Sequence, residues 1–227
     1  MSAPLILQTF AQFMDVAGRI QSDWNDGVPD TDQGTWIRDR LLSALGGRAY
    51  LRGGAWRWEF EADGKTRTLD LDMASSGQRA NWPLSIIPQV LFSLRARGEV
   101  AEGFTLYVEE PEIHLHPDAE RAVIEVLAYL VKKGFRVVLT THSLTALYTI
   151  NNLLLASSIS ERELAKEIPP DVRLSPDDVA AYHLRLDHPI ERLLTSEGTI
   201  SETALGSVAD DLSLQMNRIL AKRGPNR

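Results

Sequence analysis

Apolar residues recur along this chain in two rhythms, one with the helical period of 3.6 and one with the strand period of 2. The points where one gives way to the other lay out the elements. Residues 4–21 place Leu5, Ile6, Phe10, Phe13, Met14, Ala17 and Ile20 at helical spacing, and residues 35–45 do the same with Ile37, Leu41, Leu42 and Leu45. Both predict amphipathic helices. Between Gly46 and Asp72 the pattern turns short and alternating, with Tyr50 and Leu51, then Trp56, Trp58 and Phe60, then Leu69 and Leu71, punctuated by Gly53-Gly54 and Asp63-Gly64. That reads as two or three antiparallel strands. After a loop at Ser76 and Gly77, residues 78–97 are expected to be mainly helical, bent or delayed by Pro83 and Pro88.

The clearest segment follows. Residues 104–108 and 135–141 read as two buried strands flanking a helix over 117–133, which carries Ala119, Ala122, Val123, Val126, Leu127, Leu130 and Val131 on one face. Pro117 suits a first helical turn, Asp118 and Glu120 complement its positive end, Lys132 and Lys133 its negative end, and Gly134 stops it. Such a strand-helix-strand unit predicts parallel strands and a right-handed crossover. Residues 143–157 and 160–167 read as helices, 179–186 and 190–195 as a hairpin, and 203–222 as a closing helix, with Pro169-Pro170 the linker-like spot. The expected division is a helical and antiparallel-strand lead-in over residues 1–72 and a core over 73–227.

Composition narrows the setting. With 227 residues, 44% hydrophobic and 24% charged, the chain has material for one globular domain or most of one. No stretch approaches the roughly 20 apolar residues of a membrane-spanning helix. The first basic residue is Arg19, too late for a secretory leader, so a cytoplasmic protein off the membrane is expected. Cysteine is absent, which removes disulfides, thiolate metal sites and a cysteine nucleophile. A net charge of -7 argues against a general nucleic-acid-binding surface.

The candidate chemistry sits where the two strands of the parallel unit end, as ligand sites do in open parallel sheets. The first strand runs into Glu109-Glu110-Pro111-Glu112, the second into Thr140-Thr141-His142-Ser143. Adjacent residues at a strand end point to opposite sides, so Glu109 and Glu110 can do two different jobs, one reaching a cation while the other faces a water. Three carboxylates within four residues repel one another, and a divalent ion relieves that repulsion.

At these residues the chain resembles the ABC-type ATPases of the AAA family, in the branch with RecF-like, SMC-like and OLD-like proteins. Residues 106–117 are similar to the Walker B segment and D-loop, residues 137–143 to the switch strand and H-loop, and Ala74-Ser75-Ser76-Gly77-Gln78 to the signature loop. The resemblance implies an α/β P-loop NTPase head, represented by its C-terminal part, with a parallel βαβ core, flanking helices and a small antiparallel region. It implies ATP and Mg²⁺ as cofactors, Glu109 as the metal ligand, Glu110 as the residue polarising the attacking water, and His142 as the sensor of the γ-phosphate. Ser75, Ser76, Gly77 and Gln78, together with His116 of the D-loop, would bind the nucleotide, the signature residues meeting one held by the opposite subunit and Gln78 supporting the loop. The family usually has Asp where this chain has Glu109. Dimerisation with a second copy or a P-loop-bearing head, DNA and an effector protein are the implied partners, in DNA repair or anti-phage defence.

Other readings of the same residues are weaker. His114-Leu115-His116 with His142 could serve a metal-dependent hydrolase, but zinc catalysis needs further converging ligands, and His183 and His188 lie in the distant hairpin. Asp70 and Asp72 read as an outward-facing strand edge, and the tryptophans and tyrosines as core or strand residues. A P-loop is missing: the one Gly-Lys pair, Gly64-Lys65, has Glu59 where the first glycine belongs and reads as a hairpin turn. The family's P-loop lies upstream of the signature, so the chain is expected to start in the middle of a head and to leave a sheet edge and apolar faces uncovered. A fragment of a longer ATPase, a split head completed by a partner, and a non-catalytic scaffold all fit that pattern.

Overall fold

In the computed structural model the described residues are 13–14, 16–18, 20, 32–99, 104–160, 167–202, 205–206 and 211–218. The fold is mixed α/β, with a parallel pair of strands and separate antiparallel strands. Two compact units divide it, residues 1–139 and residues 140–227.

In the first unit, residues 13, 14, 16–18 and 20 are helical and bury Met14, Ala17 and Ile20. Helix α1, Asp32–Leu45, buries Ile37, Leu41 and Leu45. Three antiparallel strands follow: β1, Arg48–Arg52; β2, Ala55–Ala62; and β3, Lys65–Asp70. Their turns are encoded locally. Gly53-Gly54 and Asp63-Gly64 link strands whose ends pair Arg52 with Ala55 and Ala62 with Lys65, and all four turn residues have φ between +53° and +78°. Two-residue hairpins whose twist matches the strands need positive φ at both positions, which glycine and aspartate supply most readily. Directly opposed charges reinforce the register: Arg48 meets Glu59 at 2.6 Å and Arg57 meets Asp70 at 2.8 Å. Trp58, at the centre of β2, is wholly buried.

A short 3₁₀ turn over Leu71–Met73 leads to α2, Ser76–Asn81, and then α3, Ile87–Ala96. The expected single helix over 78–97 is therefore two, because Pro83 cannot sit in a continuous helical ladder while Pro88 fits the first turn of the second helix. Asp70 ends β3 in its pair with Arg57, and Asp72 lies in the 3₁₀ turn, not on a strand edge.

Strand β4, Thr105–Glu109, helix α4, Pro117–Lys132, and strand β5, Arg136–Thr140, form the predicted strand-helix-strand unit, with β4 and β5 paired. Helix α4 packs against α1, and α1 also packs against α3. Trp36 stacks on Tyr129 with centroids 4.6 Å apart, and Phe92 bridges Tyr129 and Phe135. Arg40 of α1 and Arg121 of α4 both pair with the nearly buried Glu125 carboxylate, the latter at 2.9 Å. The strands depart from expectation in one respect. They are not buried on both faces: Leu106 and Val108 are buried, but Tyr107 on β4 is 73% exposed and Val138 on β5 is 43% exposed. Among the described residues nothing covers that second face, so burial alternates with the strand period instead of running continuously.

The second unit contains α5, Leu144–Ala156, and a short hairpin of β6, Tyr182–His183, with β7, Glu191–Arg192. The hairpin ladder is shorter than the sequence predicts, and Leu184, Leu186 and Ile190 between and beside its strands are exposed. The unit is held by polar bridges across long sequence distances. Buried Asn151 accepts from the Ile200 amide at 2.7 Å and donates to the Ile200 carbonyl at 2.9 Å. Buried Arg173 donates to the carbonyls of Ile159 and Ile168. The predicted helix over 160–167 lies largely outside the described residues. Of that over 203–222, residues 205–206 and 211–218 are described and helical.

Candidate functional site

Glu109 is the last residue of β4 and lies on its exposed face. The chain does not continue in extended form: Glu110, half-buried, takes a left-handed backbone with φ +43°. Glu109 thus closes the strand, and Glu110 begins the turn after it. A tight turn follows, in which the Ile113 amide donates to the Glu110 carbonyl at 3.1 Å, and the Leu115 amide to the Glu112 carbonyl at 3.0 Å. His114 is left-handed as well, at φ +59°. Left-handed non-glycine residues cost roughly 1–2 kcal/mol each, so two of them within five positions must be held by their surroundings.

Those surroundings are the predicted signature segment. Ser75 caps α2: its Oγ accepts from the Gln78 amide at 3.2 Å, and Gln78 Oε1 accepts from the Ser75 amide at 3.0 Å. This reciprocal capping box fixes the loop, and Gln78 Nε2 donates to the Leu45 carbonyl of α1 at 3.3 Å. The capping box has a cost for the expected phosphate contact, since the Gln78 amide is already bonded, leaving Ser76 and Gly77 as the amides for an outside anion. Gly77 lies against the backbone of His114, so close that a Cβ at position 77 would stand 2.4 Å from the His114 carbonyl oxygen. Asn81, at the end of α2, donates to the Gly77 carbonyl at 3.2 Å and to the Ile113 carbonyl at 3.1 Å. The signature segment and the loop after the acids thus meet within one unit. The sequence gives no sign of Asn81, because a single polar residue in a helical stretch carries no spacing signal.

His116 ends the loop as the N-cap of α4, its Nδ1 accepting from the Asp118 amide at 3.3 Å. Among the described residues no group of three or more His, Asp or Glu side chains could hold a metal ion, which removes support from the hydrolase reading of the His-x-His pair.

His142 belongs to the second unit. It is exposed at the end of β5 and is bracketed by two hydroxyl contacts: the Ser143 amide donates to Thr141 Oγ1 at 3.0 Å, and Ser143 Oγ caps α5 by accepting from Thr145 and Ala146. The backbone on either side of the imidazole is thereby fixed. Surface concavities lie over β1 to β3 at Tyr50, Arg57 and Thr68 and beside α5 at Tyr148, Leu155 and Thr199.

Residues 56–146, from β2 into the first turn of α5, match the AAA ATPase domain. The matched segment contains Ser75 to Gln78, both acids, His116 and His142. A solved SMC ATPase structure, from a study of ATP-driven dimerization and DNA-stimulated activation of SMC ATPases, is similar over 91% of this chain and 96% of its own, at 13% identity and a TM-score of 0.45. No curated protein sequence matches the chain. No helix among the described residues is long and apolar enough to cross a membrane.

Proposed function

We propose that this chain supplies the catalytic acids, signature loop and switch histidine of an ABC-type ATPase head, which turns over Mg²⁺-ATP when a P-loop is contributed by another polypeptide segment. The observation that carries the reading is the pair Glu109 and Glu110: the first closes an apolar strand on its exposed face, and the second is turned away from it by a left-handed backbone. Mg²⁺ is held through one or two carboxylates together with substrate phosphates, not by a ready-made protein cage, and Glu109, exposed at the end of β4, is a carboxylate of that kind. When bound, the ion neutralises charge on the phosphoryl group in transfer.

Glu109 holds the metal, directly or through water. Glu110, displaced from it, orients the attacking water and draws on its proton, the role in which a positioned carboxylate acts as general base. His142 contacts the γ-phosphate and registers its loss. The amides of Ser76 and Gly77 face the nucleotide of the opposite head, with Ser75 and Gln78 holding their loop closed, and His116 sets the start of the helix that follows the D-loop. A second copy or a P-loop-bearing chain completes the site, in the cytoplasm and in a process involving DNA or defence against phage, with an effector protein as a further partner.

The test is ATP binding and hydrolysis by the purified chain, with and without the product of the neighbouring gene. Turnover that needs the second protein and vanishes in Glu110→Gln supports the proposal. Absence of nucleotide binding in every combination counts against a split head and favours a fragment of a longer ATPase or a non-catalytic scaffold.

A further inference from the structure

The side chain of Asn81 is placed where an apolar residue would be expected. Only 3% exposed, it ends a six-residue helix, and burying an amide costs several kcal/mol unless its hydrogens are bonded. Its Nδ2 donates both bonds. The one to Gly77 is local, four residues back along α2, and a serine could make it equally well. The one to Ile113 spans 32 residues and lands on the turn whose opposite end is Glu110, because the Ile113 amide donates to the Glu110 carbonyl. Next to it the His114 carbonyl abuts Gly77. Two consecutive carbonyls of the loop are therefore directed at one helix, and they lie between Glu110 and His114 or on the latter, the two left-handed residues whose conformation has to be maintained. An amide NH₂ is the side-chain group with two donors in one plane that can join a helix carbonyl to a loop carbonyl at once.

We infer that Asn81 is a positioning residue: by clamping the Ile113 carbonyl to α2 it keeps Glu110 in its left-handed conformation and ties the signature loop to the catalytic acids within the same subunit. The consequence for ATP turnover rests on the function proposed above, whereas the clamp itself does not. A ligand that moves the signature loop would move Glu110 with it, so events at the opposite head's nucleotide would reach this head's acids through one side chain.

Asn81→Ser separates the two bonds, keeping the local one to Gly77 and losing the one to Ile113. In the full chain, amide hydrogen exchange at Ile113 and Leu115 is expected to speed up about tenfold, the effect of losing one buried hydrogen bond, with amides of β1 to β3 unchanged. The Glu110 Cα and Cβ chemical shifts should move away from left-handed values, and Asn81→Gln, which keeps both donors, should recover part of both changes. Exchange within about twofold of the unaltered chain, with unmoved Glu110 shifts, overturns the clamp. If Asn81→Ser loses protection throughout the first unit, Asn81→Gln decides: Glu110 shifts and loop protection kept near those of the unaltered chain support the clamp, and their loss with the fold intact overturns it. Where the unaltered chain with a P-loop-bearing protein turns over Mg²⁺-ATP, Asn81→Ser should lower kcat more than it raises KM. No turnover at all would count against the ATPase proposal, while exchange and chemical shifts would still judge Asn81.

Discussion

Replacing Gly77 with alanine sets two effects of opposite sign against each other. Alanine is a better helix former than glycine by up to about 1 kcal/mol, and less in a first turn, so an isolated α2 would gain slightly. In the folded chain the new methyl would stand 2.4 Å from the His114 carbonyl oxygen, which is backbone and cannot swing aside. Reaching a tolerable contact requires the loop to retreat by at least about 0.6 Å, and forced overpacking of that kind costs about 1–3 kcal/mol. The retreat also stretches the 3.1 Å bond from Asn81 to Ile113, worth about another 1 kcal/mol. The clash wins, for a net destabilisation of about 1–3 kcal/mol, or a fall in Tm of about 3–10 °C for a chain of this size. Urea unfolding of Gly77→Ala beside Ser76→Ala, an exposed neighbour expected to stay within about 0.5 kcal/mol, measures it. A Gly77→Ala chain that is as stable as the parent, or more so, refutes the close docking of α2 on the loop after the acids.

Three further outcomes follow from the same geometry. Glu110→Gly should stabilise the chain by about 0.5–1 kcal/mol by removing a left-handed side chain, while Glu110→Gln stays within about 0.5, and both should lower ATP turnover at least about a hundredfold; calorimetry that ranks glycine below glutamine contradicts the strain assigned to this position. Asn151→Ala leaves the amide and carbonyl of Ile200 without their partner and should destabilise the second unit by about 2–4 kcal/mol, with exchange at the Ile200 amide the most accelerated there. Tyr107→Ser combined with Val138→Thr should raise solubility and reduce binding of a hydrophobic dye at a stability change below about 1 kcal/mol; a larger loss would mean that this sheet face is covered in solution.

What local sequence determines here is what local physics decides. Gly53-Gly54 and Asp63-Gly64 set two hairpins, because positive φ at both turn positions is a property of the residues themselves. Pro117, the acidic first turn and the apolar period over 119–131 set α4, and the strands on either side of it bring Glu109 and His142 to strand ends. Those are the parts of the site that were legible. Tertiary structure decided the rest: the left-handed turn at Glu110, the seating of Gly77 on the His114 carbonyl, the bridge from Asn81 to Ile113, the pairing of Asn151 with Ile200 across 49 residues, and the one-sided burial of β4 and β5. Periodicity and propensity describe a residue in relation to its neighbours in sequence. Which carbonyl a buried amide meets, and whether a strand face finds a cover, depend on segments dozens of residues away that only packing brings together.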